Sequence, residues 1–332
     1  MSRILLTGSS GFIGTRLLGH LRAAGHGVIG LDARPARHTD IVEDLRRHNC
    51  VARIRNEVVD VDVVVHFAGL TGAGRSLAAP DQHFDTHVNG TRHALDLAEA
   101  LGAGRFVLAS ADAVYGQVDG PTTEDQDLAP LSPYGESKAL AEAECAARAS
   151  ADALQVIVLR PFSVYGPGQP DDGLCNRSLR AALAGEPLQL WPWARDFTYI
   201  DEVCRASAAA VTVPVRDRFR AYNIGSGRPV SARQFVVAIE RVTRRPVEAS
   251  FGTPEAGEPE TTFADASRAR AELALSHPGP FVVGLDSQRR AIASGAGTRR
   301  REMDDVAPGT SSGPIREAAS TGTNAPRSLT LS

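Results

Sequence analysis

The chain has 332 residues, which is enough for one large domain or two modest ones. Its 42% hydrophobic and 23% charged residues are near globular averages, and its net charge of −3 gives no reason to expect nucleic acid or an anionic membrane as a partner. No apolar run reaches membrane-spanning length, and strand-like residues begin at Arg3, so we expect neither a spanning segment nor a signal peptide. The four cysteines lack zinc-ligand spacing, which predicts free buried thiols, no metal site and a cytoplasmic protein.

The first half of the chain alternates strand-like and helical segments. The strand-like runs are 4–6, 28–31, 61–67, 106–110 and 156–160. The helical stretches are 15–24, 88–101 and 134–149. Continuous β-branched strands that alternate with helices predict an α/β Rossmann fold, a doubly wound parallel sheet with right-handed crossovers.

The second half has a looser pattern of Pro- and Gly-rich loops and short helices. We therefore predict a Rossmann domain over residues 1–165, to which a segment at about 195–225 returns, and a smaller C-terminal substrate domain over 166–284. Residues 285–332 are rich in Ser, Gly, Thr, Ala and Arg without apolar periodicity, which predicts a disordered tail.

The segment TGSSGFIG at 7–14 follows the first predicted strand and opens the first helix. In such a turn Gly8 permits the tight bend, Gly11 lets the backbone approach a pyrophosphate, and Gly14 permits close packing of the helix on the strand. The positive end of the helix dipole and its free N–H groups favour phosphates. This placement predicts a dinucleotide-binding site.

The acidic residue that closes the second strand, Asp32, discriminates between the two nicotinamide cofactors. A carboxylate there accepts hydrogen bonds from both ribose hydroxyls of NAD and repels the 2′-phosphate of NADP. Arg34 and Arg37 follow closely and keep NADP open as an alternative. We predict NAD.

The segment YGESK at 134–138 places Tyr134 and Lys138 four residues apart on one helix face. Lys138 is the only lysine of the chain. An ammonium beside the phenol, together with a positive nicotinamide ring, favours the phenolate, so we expect a lowered pKa of Tyr134. The tyrosine would then take a proton from a substrate hydroxyl while hydride leaves the same carbon, with Tyr134 and Lys138 as the catalytic residues.

A series of segments between residues 4 and 269 resembles the extended short-chain dehydrogenases/reductases of the NAD-dependent epimerase/dehydratase family, which mostly modify nucleotide sugars. The segments are TGSSGFIG (7–14), the Asp-Leu pair at 44–45, HFAG (66–69), VYG (114–116), YGESK (134–138), LRPFSVYGPGQ (159–169), RDFTYIDEV (195–203), YNIGSG (222–227) and ADASRA (264–269).

This resemblance implies a set of site residues and an assembly. It assigns phosphate and substrate binding to Arg195 and substrate binding to Ser163, and it implies a homodimer formed through helices 88–101 and 134–149. The implied NAD contacts are Gly8, Ser10, Gly11, Phe12, Ile13, Gly14, Asp32, Asp44, Leu45, Phe67, Ala68, Gly69, Tyr134, Lys138 and Pro161.

The chain departs from the family pattern around the proton relay. Ala111 stands where the family has Ser or Thr, and Ser110 should point to the opposite face of the strand. Ala113 replaces the glutamate that dehydratases and decarboxylases use, although Asp112 keeps the neighbouring acid. His87 replaces an asparagine, either as a polar helix-start residue or as part of an altered relay.

The substrate side also departs from the family. Ser163 replaces the asparagine after RPF, the segment 188–195 runs through Trp191-Pro192-Trp193 in place of a GDG turn, and Glu255 stands where a second phosphate arginine is usual. We favour oxidation and reduction at C4 of a nucleotide sugar, as in a 4-epimerase, over dehydration or decarboxylation. A reductase or dehydrogenase of a non-nucleotide substrate and a catalytically weakened NAD-binding homologue remain alternatives.

Overall fold

The structure is a computed structural model that describes residues 1–151 and 154–295. Within these ranges the strands are β1 (Arg3–Thr7), β2 (Gly27–Asp32), β3 (Ile41–Val42), β4 (Val63–His66), β5 (Arg105–Ala109), β6 (Gln155–Pro161), β7 (Val164–Tyr165), β8 (Leu188–Leu190), β9 (Ala194–Asp196), β10 (Thr198–Tyr199), β11 (Phe219–Ile224), β12 (Pro229–Ser231) and β13 (Ala249–Phe251).

The α-helices of the same ranges connect these strands. They are α1 (Phe12–Ala23), α2 (Cys50–Arg55), α3 (Ala73–Ala78), α4 (Pro80–Phe84), α5 (Gly90–Ala100), α6 (Pro133–Ala151), α7 (Leu174–Ala184), α8 (Ile200–Thr212), α9 (Ala232–Thr243), α10 (Ser267–Glu272) and α11 (Phe281–Ala293). A π-helical turn, Asp85–Asn89, joins α4 to α5, and a 3₁₀ turn, Asp112–Val114, follows β5.

The main sheet is parallel and has seven strands in the order β11-β6-β5-β4-β1-β2-β3. The chain builds outward from β1 to β3, then returns to place β4 on the other side of β1. The strand order therefore reverses between β1 and β4, which opens a crevice at their carboxyl ends. The predicted Rossmann fold is confirmed.

Alternate residues of the central strands divide the sheet's core into two layers. In β1, Leu5 faces the layer that contains α5 and α6, whereas Ile4 and Leu6 face the layer that contains α1 and α8. Period-two alternation with apolar residues on both sides is what a sheet covered on both faces requires. Both layers hold the strand ends in place at the crevice.

A separate apolar cluster lies among α7, α9 and α11 and is rich in aromatic rings. The rings of Phe197 and Phe281 stack with centroids 4.6 Å apart, and Leu285 beside them is 0% exposed. The predicted start of a disordered tail at residue 285 is therefore wrong, because packing on this cluster extends a helix to Ala293. The rest of the predicted tail, residues 296–332, lies outside the described residues, and the division at residue 165 stays a prediction.

The cysteines match the expectation from composition. Cys50, Cys145, Cys175 and Cys204 are all free and buried. No helix in the described part of the chain is both long enough and apolar enough to cross a membrane.

Candidate active site

The glycine turn after β1 packs directly on the loop that follows β4. Gly8 has φ +72°, and a β-carbon on it would lie 2.6 Å from the Ala68 nitrogen. A β-carbon on Gly14 would lie 1.9 Å from the Gly8 carbonyl oxygen, which also accepts the Gly11 N–H at 3.0 Å. Side chains at these positions would collide with backbone, so glycine is required for the turn to close.

This turn and the end of β2 form a cradle that fits a dinucleotide. The N-cap residue of α1 is Gly11, and no side-chain hydrogen bond caps the helix there. The amides of such a first turn can bind a phosphate group. Asp32 is buried, and its carboxylate accepts the amides of Ser10 at 3.0 Å and Arg34 at 3.1 Å. The amides suit a diphosphate, and the fixed carboxylate suits ribose hydroxyls.

The Asp-Leu pair after β3 is held by neighbours on both sides. Arg46 donates to the carboxylate of Asp44 with Nη2 at 2.6 Å, which lowers the pKa of Asp44. Leu45 packs its side chain into the core below α5, and its carbonyl oxygen lies 2.6 Å from His93 Nδ1. These contacts fix the backbone at 44–45 beside the cradle.

A buried hydrogen-bond chain, which the sequence motifs did not predict, joins β1 to β4. Thr7 Oγ1 accepts the Ala68 amide at 3.2 Å and lies 2.7 Å from His66 Nδ1. Burial lowers the pKa of His66 to about 3, with a smaller contribution from the positive charge of Lys138. Thr7 and His66 stand inside the segments TGSSGFIG and HFAG, so their position at strand ends was the available signal.

Tyr134 and Lys138 lie on the first turns of α6, as predicted, and Lys138 reaches the end of β5 and the loop after β4. Lys138 Nζ donates to the Ala109 carbonyl oxygen at 2.8 Å and lies 3.4 Å from where a β-carbon on Gly69 would stand. The residue is 7% exposed, and burial lowers its pKa to about 8. The catalytic pair predicted from sequence therefore lies beside the predicted cofactor loop.

The phenol of Tyr134 is in a different electrostatic environment from the one expected. Burial raises its pKa above the usual range, and the negative charges of Asp112 and Glu258 raise it further. The expectation of a lowered pKa is wrong for the protein groups alone, because desolvation and the two carboxylates favour the neutral phenol.

Two histidines flank the ring of Tyr134 edge-on. The His87 ring centroid is 5.7 Å away and that of His83 is 6.0 Å away. His87 is buried and lies 2.8 Å from Ser137 Oγ on α6. It is therefore an interior residue of the site, and the interpretation as a polar helix-start residue is wrong, because the π-helical turn directs its side chain inward.

The end of β5 carries the altered relay positions. The Ser110 amide donates to Leu159 at 2.8 Å, and Ala111 has extended backbone with φ −159° and ψ 160°. Successive side chains of extended backbone point to opposite faces, so Ser110 does not take the place of the missing hydroxyl at 111. Asp112 follows at the crevice, where burial raises its pKa to about 7.

The candidate substrate side places Arg195 against carboxylates. Arg195 is buried, its Nη2 donates to Glu258 Oε2 at 2.8 Å, and its guanidinium lies over the Trp191 ring at 5.4 Å. The adjacent Asp196 instead accepts backbone amides, including that of Gly227 at 2.9 Å. The role of Glu258 could not be predicted from the sequence, because its contact with Arg195 joins residues 63 positions apart.

Further acidic and polar groups complete this side. Glu255 lies 3.8 Å from Arg177, so an ion pair occupies the position where an arginine was expected. The Ser163 carbonyl oxygen accepts the Thr198 amide at 3.2 Å, and the Ser163 backbone hydrogen-bonds Asp112. The crevice therefore combines one buried arginine with several carboxylates.

Comparisons with known proteins agree with this geometry. Residues 4–225 match the model of the family described as "NAD dependent epimerase/dehydratase family". An uncharacterized UDP-glucose epimerase, YtcB, of Bacillus subtilis (strain 168) is 30% identical in an alignment of 315 positions that covers 88% of this chain and 98% of that protein. The UDP-glucuronate 4-epimerase of Thermodesulfobacterium geofontis is 29% identical over 82% of this chain and 90% of its own.

Solved structures are similar over the same range. MoeE5 in complex with UDP-glucose and NAD superposes with a TM-score of 0.82 and 32% identity, covering 89% of this chain and 99% of that one. The UDP-glucuronic acid 4-epimerase of Bacillus cereus, in complex with UDP-glucuronic acid and NAD, has a TM-score of 0.81 and 27% identity, covering 88% and 99%. The predictions of NAD as cofactor and of a hydride-transferring enzyme are confirmed, and the chain belongs to the NAD-dependent epimerase/dehydratase family.

Proposed function

We propose that this protein is an NAD-dependent 4-epimerase of a UDP-sugar. The observation that carries the proposal is the placement of Lys138, on the helix of Tyr134, beside the loop after β4, against which the glycine turn packs. The named relatives and the solved structures with UDP-sugars support the substrate class. Ala113, in place of a glutamate base, argues against dehydration and decarboxylation.

The proposed chemistry needs one proton acceptor that works in both directions. NAD, when bound, supplies the hydride acceptor. Tyr134 would take the proton from the C4 hydroxyl as C4 loses its hydride. It would return that proton to the C4 oxygen when the same hydride comes back to the opposite face of the ketone. Burial, Asp112 and Glu258 all raise the pKa of Tyr134, so the proposed proton transfer requires the positive charges of Lys138 and of bound NAD to lower it.

We assign cofactor and substrate contacts accordingly. The cradle and loop residues named from the family pattern would hold NAD, with Asp32 selecting it against NADP. Arg195 would bind the diphosphate, since Glu258 engages Nη2 and orients the guanidinium toward the crevice. Ser163, next to Asp112, would contact the sugar.

The test is turnover of a panel of UDP- and dTDP-sugars by purified protein, read by separation of the C4 epimers. We expect NAD to co-purify and a UDP-sugar to be epimerised. Tyr134→Phe should retain NAD and lose at least about 100-fold in kcat, because it lacks the proton acceptor. Protein without bound NAD and without turnover on any of these sugars would refute the proposal.

A second candidate, a reductase or dehydrogenase of a non-nucleotide substrate, is favoured by one observation. Glu258 and Glu255 reduce the positive charge available to a diphosphate. Calorimetry with UDP and dTDP separates the two functions, because micromolar binding excludes the second candidate. Ala111→Ser tests the catalytically weakened alternative, which predicts a large gain in activity from the restored hydroxyl.

We also propose a cytoplasmic homodimer formed through α5 and α6. Leu140 on α6 is 44% exposed, and the free cysteines suit a reducing compartment. Analytical ultracentrifugation of the wild type and of Leu140→Glu tests the assembly, since a charge at this position should shift a dimer toward monomer.

A further inference from the structure

His87 bridges the two segments that the proposed reaction uses. It lies in the π-helical turn, where its imidazole is 1% exposed. Nδ1 lies 2.8 Å from Ser137 Oγ on α6. Nε2 lies 3.1 Å from the amide nitrogen of Leu70 and 3.0 Å from its carbonyl oxygen. One side chain thus joins the helix of Tyr134 to the loop after β4.

One tautomer of His87 satisfies this network. Ser137 Oγ donates to the Tyr134 carbonyl oxygen at 2.9 Å, so it accepts a hydrogen bond from His87 Nδ1–H. Nε2 then carries a lone pair and accepts the Leu70 amide. In the other tautomer, Nε2–H would donate to the Leu70 carbonyl oxygen, and the Leu70 amide would lose its acceptor. Burial and the charge of Lys138 lower the pKa of His87, which keeps the ring neutral.

The same ring touches the loop residue that contacts Lys138. A β-carbon on Gly69 would lie 3.1 Å from His87 Nε2 and 3.4 Å from Lys138 Nζ. The His87 ring also meets Tyr134 edge-on at 5.7 Å. A change at His87 therefore acts on the separation between α6 and the loop rather than on a distant part of the fold.

We propose that His87 is a positioning residue for the hydride-transfer reaction, and that its hydrogen bonds to Ser137 and Leu70 hold Tyr134 and Lys138 at a constant distance from the loop 67–70. This inference rests on the proposed function, since both segments matter only if Tyr134 and the cofactor loop act together. Small misplacements of acid–base groups reduce turnover strongly, by up to about 100-fold for 1 Å.

The first test compares His87→Phe with His83→Phe by steady-state kinetics on the UDP-sugar that the wild type epimerises. Both changes keep an aromatic ring beside Tyr134, but of these two histidines His87 is the one that hydrogen-bonds α6. We expect His87→Phe to lose about 10- to 100-fold in kcat with KM within about threefold and NAD still bound, and His83→Phe to lose less than about threefold. His87→Asn, which restores a donor, should recover a large part of the loss. Equal losses in the two Phe variants, or full activity of His87→Phe, would overturn the inference.

Ser137→Ala removes the same hydrogen bond from the other side. We expect it to lower kcat in the same way, and the double variant with His87→Phe to lose no more than the worse single variant. Additive losses would contradict a shared role. If His87→Phe does not fold, Ser137→Ala decides the matter, because full activity of this variant rejects the inference.

Nitrogen NMR of histidine-labelled protein tests the network without turnover. We expect a His87 signal protonated at Nδ1 and not titrating between pH 5.5 and 8.5, and a shift toward the other tautomer in Ser137→Ala. A ring protonated at Nε2 in the wild type would overturn the assignment.

A wild type that binds NAD but turns over no sugar would refute the proposed function, whereas an active wild type with an active His87→Phe would refute only the role of His87.

Discussion

Tyr134 and Asp112 face the same crevice, and their ionisation is coupled. The charge of Asp112 raises the pKa of Tyr134, and burial raises the pKa of Asp112 itself to about 7. A phenol that acts as a base needs a lowered pKa. The positive charges of Lys138 and of the nicotinamide ring of bound NAD must therefore offset the negative charge of Asp112.

Asp112→Asn removes this charge with little change in shape. We expect a lower pKa of Tyr134 and therefore a shift of the rising limb of the kcat/KM profile toward lower pH, because less alkaline conditions suffice to form the phenolate. The measurement is a pH series between 5.5 and 9.5, with Asp119→Asn on an exposed loop as the matched control. A profile that stays in place, or moves to higher pH, would show that Asp112 does not govern Tyr134.

The element that decides cofactor binding is the first helix with its preceding turn. Gly14 and Gly19 both lie in α1, yet only one has a close neighbour. A β-carbon on Gly14 would lie 1.9 Å from the Gly8 carbonyl oxygen, whereas a β-carbon on Gly19 would have no atom within 4 Å. Close packing on the Gly8 carbonyl therefore requires glycine at position 14, whereas no such contact requires it at position 19.

The substitutions Gly14→Ala and Gly19→Ala test this difference. We expect Gly14→Ala to lose bound NAD and about 1–3 kcal/mol of unfolding free energy, because α1 must move off β1. Gly19→Ala should keep NAD and be neutral or more stable by up to about 1 kcal/mol, since alanine favours helix. Urea unfolding and the nucleotide content of the purified proteins measure both effects. Retention of NAD by Gly14→Ala would contradict the close packing described for the turn.

Across the whole molecule, buried neutral histidines couple stability to pH. His66 lies at the end of β4 in the centre of the sheet, and its pKa is lowered to about 3. The unfolded chain takes up a proton at this histidine near pH 6.5, which the native state does not. The stabilisation that comes from keeping His66 neutral in the native state is therefore fully present above pH 6.5 and is lost as the pH falls toward 3.

We expect this histidine to contribute a decline of up to about 1.4 kcal/mol per pH unit below pH 6. The check is urea unfolding at pH 7, 6 and 5 for the wild type and His66→Gln, which should show the shallower decline. His48→Gln, at an exposed position, serves as the control and should follow the wild type. A decline as steep in His66→Gln as in the wild type would mean that other groups carry the acid sensitivity.

Local patterns were sufficient for the sheet, the glycine turn, Asp32 and the Tyr134–Lys138 pair. Each depends on neighbours a few residues away: the continuous apolar run of β1, which is buried on both faces, the Gly8 bend before α1, and the four-residue spacing on α6. Such spacing fixes which side chains share a face before any long-range contact forms.

Contacts between distant segments decided the rest. The pairing of Arg195 with Glu258, the inward turn of His87 toward Ser137, the raised pKa of Tyr134 and the helix that includes Leu285 all depend on partners brought together from far along the chain. The burial of a side chain and the charge around it depend on every segment that packs near it. The pKa values of the site and the C-terminal helix are therefore decided only by the tertiary structure.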